Sequence, residues 1–150
     1  MPNLRLIEGA CHCRNIRFTV GLPAAETLIR VRACSCAFCI KHGGVYTSHP
    51  SAELDIHITD PSLVEHYQFG TKTADFLICR RCGVVPVVTS VINDHCYAVV
   101  NVNTFENIDR AEFDYATTDF EAEATDDRLA RRQQNWIAQV KLMPAGQRPA

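Results

Sequence analysis

The chain has 150 residues, 47% of them apolar, and a formal net charge of −2. That is enough apolar sequence for one self-supporting core, which excludes a disordered or fibrous protein. The nearly neutral charge gives no reason to expect a nucleic acid or an anionic membrane surface as partner, and the longest apolar runs are strand-length, too short to span a bilayer.

Residues 1–8, Met1-Pro2-Asn3-Leu4-Arg5-Leu6-Ile7-Glu8, contain no apolar stretch ending at a small-residue cleavage site. A secretory signal is therefore not expected, and a cytoplasmic location is. Leu4–Gly9 and Ile16–Val20 read as strands joined through a turn at Arg14-Asn15. Leu28–Ala33 shows partial alternation, and Leu54–Ile58 alternates cleanly as a half-buried strand. Val64–Phe69 ends at Gly70, and Phe76–Ile78 leads into a cysteine pair. Val84–Ile92 carries Pro86, which places that end of the strand on an edge or at a bulge. Tyr97–Val102 is a further strand. Strands at this spacing predict a mainly β fold of antiparallel sheets. Thr125-Asp126-Asp127 then starts a helix over about 126–141, with acidic residues near its positive end. Leu129, Trp136, Ile137 and Val140 share one face of that helix, suited to docking on a sheet or to a homodimer contact. Pro144 ends it, so the domain is expected over 1–144 and a loose tail over 145–150.

Eight cysteines in a reducing compartment point to metal or redox chemistry rather than disulfides. Seven of them cluster as Cys11-x-Cys13, Cys34-x-Cys36-x-x-Cys39 and Cys79-x-x-Cys82. A C-x-C pair on a strand presents both thiols to one side. Cys79-Arg80-Arg81-Cys82-Gly83 suits a tight turn in which glycine takes the backbone conformation other residues resist. These two pairs supply the four thiolates of a closed tetrahedral zinc site. Closing the long loop between them costs roughly 4 kcal/mol of chain entropy, against roughly 10–16 kcal/mol from structural zinc binding. The middle cluster offers three thiols from one loop, the pattern of a zinc that keeps an exchangeable position. Two alternatives remain open on spacing alone. His42 can complete a Cys₃His site, or Cys36 and Cys39 can pair with Cys79 and Cys82 as a zinc ribbon.

Gly9-Ala10-Cys11-His12-Cys13-Arg14-Asn15-Ile16-Arg17-Phe18, Cys34-Ser35-Cys36-Ala37-Phe38-Cys39-Ile40-Lys41-His42-Gly43, Tyr67-Gln68-Phe69-Gly70 and Cys79-Arg80-Arg81-Cys82-Gly83-Val84 occur in that order. Together they resemble the glutathione-dependent formaldehyde-activating (GFA) domain family over about residues 7–120. The resemblance implies two antiparallel sheets organised around zinc, a fold shared with methionine sulfoxide reductase B, and two zinc ions per chain. It assigns Cys11, Cys13, Cys79 and Cys82 to a structural zinc, and Cys34, Cys36 and Cys39 to the catalytic zinc that meets glutathione. Family members often carry a histidine shortly before the third cluster. This chain has Ala74-Asp75-Phe76-Leu77-Ile78 there, which weakens the transfer of a proton-handling role to this strand.

Of the remaining candidates, Cys96 stands alone beside an apolar strand and reads as a core residue. His12 lies between two ligands and reads as non-ligating. Lys41 follows the second cluster, Arg80 and Arg81 sit inside the third, and all three are expected to attract an anionic ligand such as glutathione. The function expected is a glutathione-linked carbon–sulfur lyase that forms or cleaves S-hydroxymethylglutathione. The alternatives are a non-catalytic zinc β domain binding a thiol or protein partner, and another zinc-dependent reaction on a glutathione conjugate.

Overall fold

The computed structural model describes residues 3–143. Its elements run β1 Leu4–Ala10, β2 Ile16–Pro23, β3 Ile29–Cys34, α1 Ala37–His42, β4 Val45–Thr47, β5 Glu53–Ile58, β6 Val64–Tyr67, β7 Asp75–Cys79, β8 Val87–Ile92, β9 His95–Asn101, β10 Phe113–Thr118, α2 Thr125–Asn135 and β11 Gln139–Met143. The strands form a four-stranded sheet in the order β1-β2-β5-β11 and a seven-stranded sheet in the order β10-β3-β4-β9-β8-β7-β6. All pairings are antiparallel except at two edges, where β10 runs parallel to β3 and β11 parallel to β5.

Alternation along the strands decides where the core lies. Phe18 and Val20 on β2 stand opposite Ile56 and Leu54 on β5, and all four are buried. They pack with Val31, Val87 and Val100 of the larger sheet into one core between the two sheets. Residues of opposite parity on the larger sheet, Val88 and Val99, face away from that core. They form a second core with Cys39, Tyr46, Val85 and Trp136 on the sheet's other face. Each core contains one of the cysteine groups: Cys11 and Cys79 belong to the first, Cys39 to the second. The seven-stranded sheet therefore separates two chemically distinct sites.

The helix expected over about 126–141 ends at Asn135. Trp136 and Ile137 are both buried, but they serve different cores, so one helix face cannot hold them together. Ile137 instead exchanges backbone hydrogen bonds with Ala98 at 2.9 and 3.0 Å, and the chain continues into β11. The helical spacing of Leu129, Trp136, Ile137 and Val140 coincides with this helix-to-strand passage. Asp126 and Asp127 do occupy the first turn of α2, while its N-cap, Ala124, makes no side-chain cap. Pro86 is not within a strand. It precedes Val87, where an interior strand begins, so it removes no donor from the ladder. Pro144 and the expected tail over 145–150 lie outside the described residues.

Candidate metal centres and ligand pocket

Cys11 and Cys13 sit in the turn after β1 rather than on the strand itself. A tight turn aligns them instead: Cys11 N–H donates to the Ile16 carbonyl and Arg14 N–H to the Cys11 carbonyl, with Arg14 at φ 70°. Ile16 N–H also donates to Cys11 Sγ at 3.3 Å. The second turn has the same logic. Cys79 N–H donates to the Val84 carbonyl, Gly83 N–H to the Cys79 carbonyl, and Gly83 adopts φ 80°. The four sulfurs of Cys11, Cys13, Cys79 and Cys82 all lie within 4.8 Å of one another. Cys13 and Cys79 sulfurs are 3.4 Å apart and Cys11 and Cys13 sulfurs 3.8 Å. A tetrahedral ion with sulfur bonds of about 2.3 Å needs edges of about 3.8 Å, so this group fits zinc.

The donor chemistry agrees. Burial pushes the Cys11 thiol up to about 12. At Cys82 burial also opposes the thiolate, but donation from the backbone N–H groups of Cys13 and Val84 and from neighbouring thiols outweighs it and holds the group at about 6. Cys82 thus favours the thiolate, while the Cys11 proton is one that a bound cation would displace.

Cys34, Cys36 and Cys39 form the second group, again with all sulfurs within 4.8 Å. Cys34 ends β3, Cys36 caps α1 by accepting from the Cys39 N–H at 3.4 Å, and Cys39 lies buried within α1. The Cys39 thiol donates to Cys34 and draws Cys34 down to about 6, against the cost of burying it. The same bond pushes Cys39 up, while Tyr46, whose hydroxyl lies 3.6 Å from Cys39 Sγ, works the other way. His42 does not join this group. Its ring stacks on Phe38 at 5.2 Å between centroids. Cys36 and Cys39 do not approach Cys79 and Cys82, so the ribbon pairing is also excluded among the described residues.

The three thiols open onto a pocket of about 420 Å³. Its cationic wall consists of Arg32, Arg128, Arg131 and Arg132, and Glu121 also lines it. Arg131 is held by Glu123 in a two-pronged ion pair at 3.0 to 3.2 Å and lies 3.6 Å over the Phe120 ring. Arg132, only 6% exposed, donates to Thr73 and Ser90 alone, and burial lowers it to about 10. Arg32 donates to the Ser48 hydroxyl at 2.8 Å, and Arg128 to the carbonyls of Phe120 and Glu123. Three of the four guanidinium groups thus have only neutral acceptors. Lys41, Arg80 and Arg81 do not line this pocket: all three are exposed, and Arg80 is engaged by Glu65 at 2.7 Å. The cationic residues that do line it come from β3 and α2. The i, i+3, i+4 spacing of Arg128, Arg131 and Arg132 marks a shared helix face, the signal that points to them in the sequence. Tyr46 gives no comparable signal.

Cys96 is half-buried, not a core residue, and lies outside both groups. Burial raises its thiol. His12 is exposed in the first turn and joins neither group. No helix among the described residues is long and apolar enough to cross a membrane.

Two separated cysteine groups on either side of one sheet are now defined, and the sequence carrying them matches the family described as glutathione-dependent formaldehyde-activating enzyme over residues 6–122. The chain belongs to the GFA family. A crystal structure of a Rhodobacter sphaeroides protein, a structural-genomics target, is similar to it at 25% identity with a TM-score of 0.51. The similarity covers 73% of this chain and 99% of that one. The GFA match contains all seven clustered cysteines and Arg32, but it stops before α2. Arg128, Arg131, Arg132 and Trp136 therefore come from sequence outside the matched region.

Proposed function

We propose that this GFA chain is a zinc-dependent, glutathione-linked carbon–sulfur lyase that forms or cleaves S-hydroxymethylglutathione, acting in the cytoplasm where its thiols stay reduced. The observation that carries the reading is the contrast between the two cysteine groups. Four thiols close one site within the main core, whereas three thiols of the other line a pocket with cationic walls. The first group would hold a structural zinc. The second, Cys34, Cys36 and Cys39, would hold another with a position left for a ligand.

A zinc bound there supplies a position at which an entering thiol is held as its thiolate. The protein residues do the rest. Cys34 and Cys36 from the β3–α1 junction and Cys39 from α1 fix where the sulfur of glutathione sits. Arg32 and Arg128 offer guanidinium groups without carboxylate partners to its two carboxylates. Arg131, restrained by Glu123 and Phe120, adds positive potential without swinging into the site. Tyr46 holds Cys39 by a bond to its sulfur. In the forming direction the thiolate adds to the carbon of formaldehyde, a C–S bond replaces the carbonyl π bond, and the oxygen takes a proton. Holding both reactants in register is the main contribution this pocket makes.

Cobalt substitution tests the reading, because thiolate–cobalt absorption grows with each added sulfur. Glutathione is expected to increase that absorption and S-methylglutathione to leave it nearly unchanged. His42→Ala is expected to preserve the response. Exchange between formaldehyde, glutathione and their adduct, followed by NMR, is expected to exceed the uncatalysed rate and to slow in Cys36→Ser. Thiol binding without acceleration would leave a thiol-binding domain and remove the lyase.

A further inference from the structure

Part of the pocket lining is apolar, and Trp136 within it lies against Arg132, 4.9 Å from the guanidinium to the ring centroid. Phe69, Phe76, Val88, Val99 and Trp136 line the same pocket as the three thiols. Phe69 and Phe76 belong to a built aromatic group with Phe38, with ring centroids 4.8 to 5.1 Å apart. Neither is fully buried, and both line the pocket. Glutathione carries two carboxylates, an ammonium and two amides, and formaldehyde adds one oxygenated carbon. Neither offers an apolar group that matches this wall, and a wall left against water or a polar ligand gains nothing from its apolar area. Trp136 is contributed by sequence beyond the family match, as is Arg128.

Resting on the glutathione-linked reading above, we propose that the aldehyde joined to the thiol carries an apolar substituent of several carbons. That substituent lies on Phe69, Phe76, Val88, Val99 and Trp136, while Arg32 and Arg128 hold the carboxylates of the thiol. The substrate class is then S-(1-hydroxyalkyl) conjugates of an anionic thiol. The step balances without a further reactant. Thiolate sulfur adds to the carbonyl carbon, the π pair moves to oxygen, and oxygen takes one proton, with no net oxidation or reduction. Cleavage is the reverse.

Stable S-alkylglutathiones test the wall without needing catalysis or a free thiol. Trp136 is the only tryptophan of the chain, so its fluorescence reports the pocket directly, with calorimetry as a second readout. On the purified metal-loaded protein, affinity is expected to rise from S-methyl through S-butyl to S-hexylglutathione. Each methylene fully buried contributes about fourfold, so the hexyl compound is expected to bind at least about 30-fold tighter than the methyl one. Phe76→Ala is expected to reduce that ratio below about tenfold while S-methylglutathione binding changes less than about twofold. Arg128→Gln is expected to weaken all three compounds by a common factor. Equal affinity along the series, or no binding of any member, overturns the proposal, and the unmodified protein alone decides this if Phe76→Ala does not fold. The cobalt experiment fails independently. A steep alkyl series with no thiol entry removes the lyase and keeps the apolar subsite, and the converse does the opposite.

Discussion

The sulfurs of Cys13 and Cys79 stand 3.4 Å apart although 66 residues separate them. Such an approach ties the β1–β2 turn to the end of β7, and so joins the four-stranded sheet to the seven-stranded one. A metal held there is a cross-link between sheets, with its binding free energy spent on the fold. Cys79→Ser removes a fully buried ligand from that link. It is expected to cost more than about 4 kcal/mol and to lower the melting temperature steeply. Cys36→Ser breaks only a local chelate at the start of α1 and is expected to cost on the order of 1–2 kcal/mol. Thermal melts of the two variants decide it. Equal losses would contradict the division between the sites.

Metal content follows from the same division. Protein purified without chelator is expected to carry close to two zinc equivalents, and Cys36→Ser close to one. Elemental analysis with a thiol count reads this directly. A value near one in the unaltered protein would mean that the three-cysteine group does not retain an ion by itself.

Tyr46 is a residue whose role is set by position alone. Its ring is buried and its hydroxyl reaches Cys39 Sγ at 3.6 Å, with burial pushing that hydroxyl well above its ordinary range. It therefore remains a neutral donor to the sulfur across the physiological range. Tyr46→Phe preserves the ring and deletes the donor, at an expected cost of about 1 kcal/mol. In the cobalt-substituted protein the thiolate bands are expected to shift, because one ligand sulfur loses a hydrogen bond. Unchanged bands would show that the hydroxyl does not act on the metal ligand.

What was legible in the sequence follows from how local each signal is. The C-x-x-C-G turn, the β1–β2 hairpin and the alternating strand at Leu54–Ile58 are encoded within ten residues, and each is found where expected, whereas the C-x-C pair, expected on a strand, sits in the turn after β1. The parallel pairings of β10 with β3 and β11 with β5 join segments distant in the chain, so no short pattern announces them. The passage from α2 into β11 is hidden for another reason. Trp136, Ile137 and Val140 fit a helical period, yet the tertiary pairing of Ile137 with Ala98 prevails over it. Arg128, Arg131 and Arg132 were obscured because Lys41, Arg80 and Arg81 lie nearer the cysteines in sequence, whereas the arginines of α2 reach the pocket only through the fold.

Gly9 and Phe18 give the last prediction. They pair across β1 and β2, and a Cβ built on Gly9 would stand only 2.2 Å from the Phe18 ring edge, with two further ring atoms at 2.6 and 2.8 Å. The ring covers the bare glycine and is itself only 2% exposed, packed in the core between the sheets. Neither side can yield easily. The backbone at Gly9 is fixed by the hairpin register and by its bridge to Phe105, and the Phe18 ring is bounded by Phe105 at 6.0 Å. Gly9→Ala is therefore expected to cost about 1–3 kcal/mol in denaturant unfolding, although alanine is otherwise the better strand residue. Phe18→Leu alone leaves a void and is also destabilising. Combined, the two substitutions are expected to cost less than their separate losses added together, because the smaller side chain vacates the space that the new methyl needs. Strict additivity in the double variant would show that the ring of Phe18 is not what excludes a side chain at position 9.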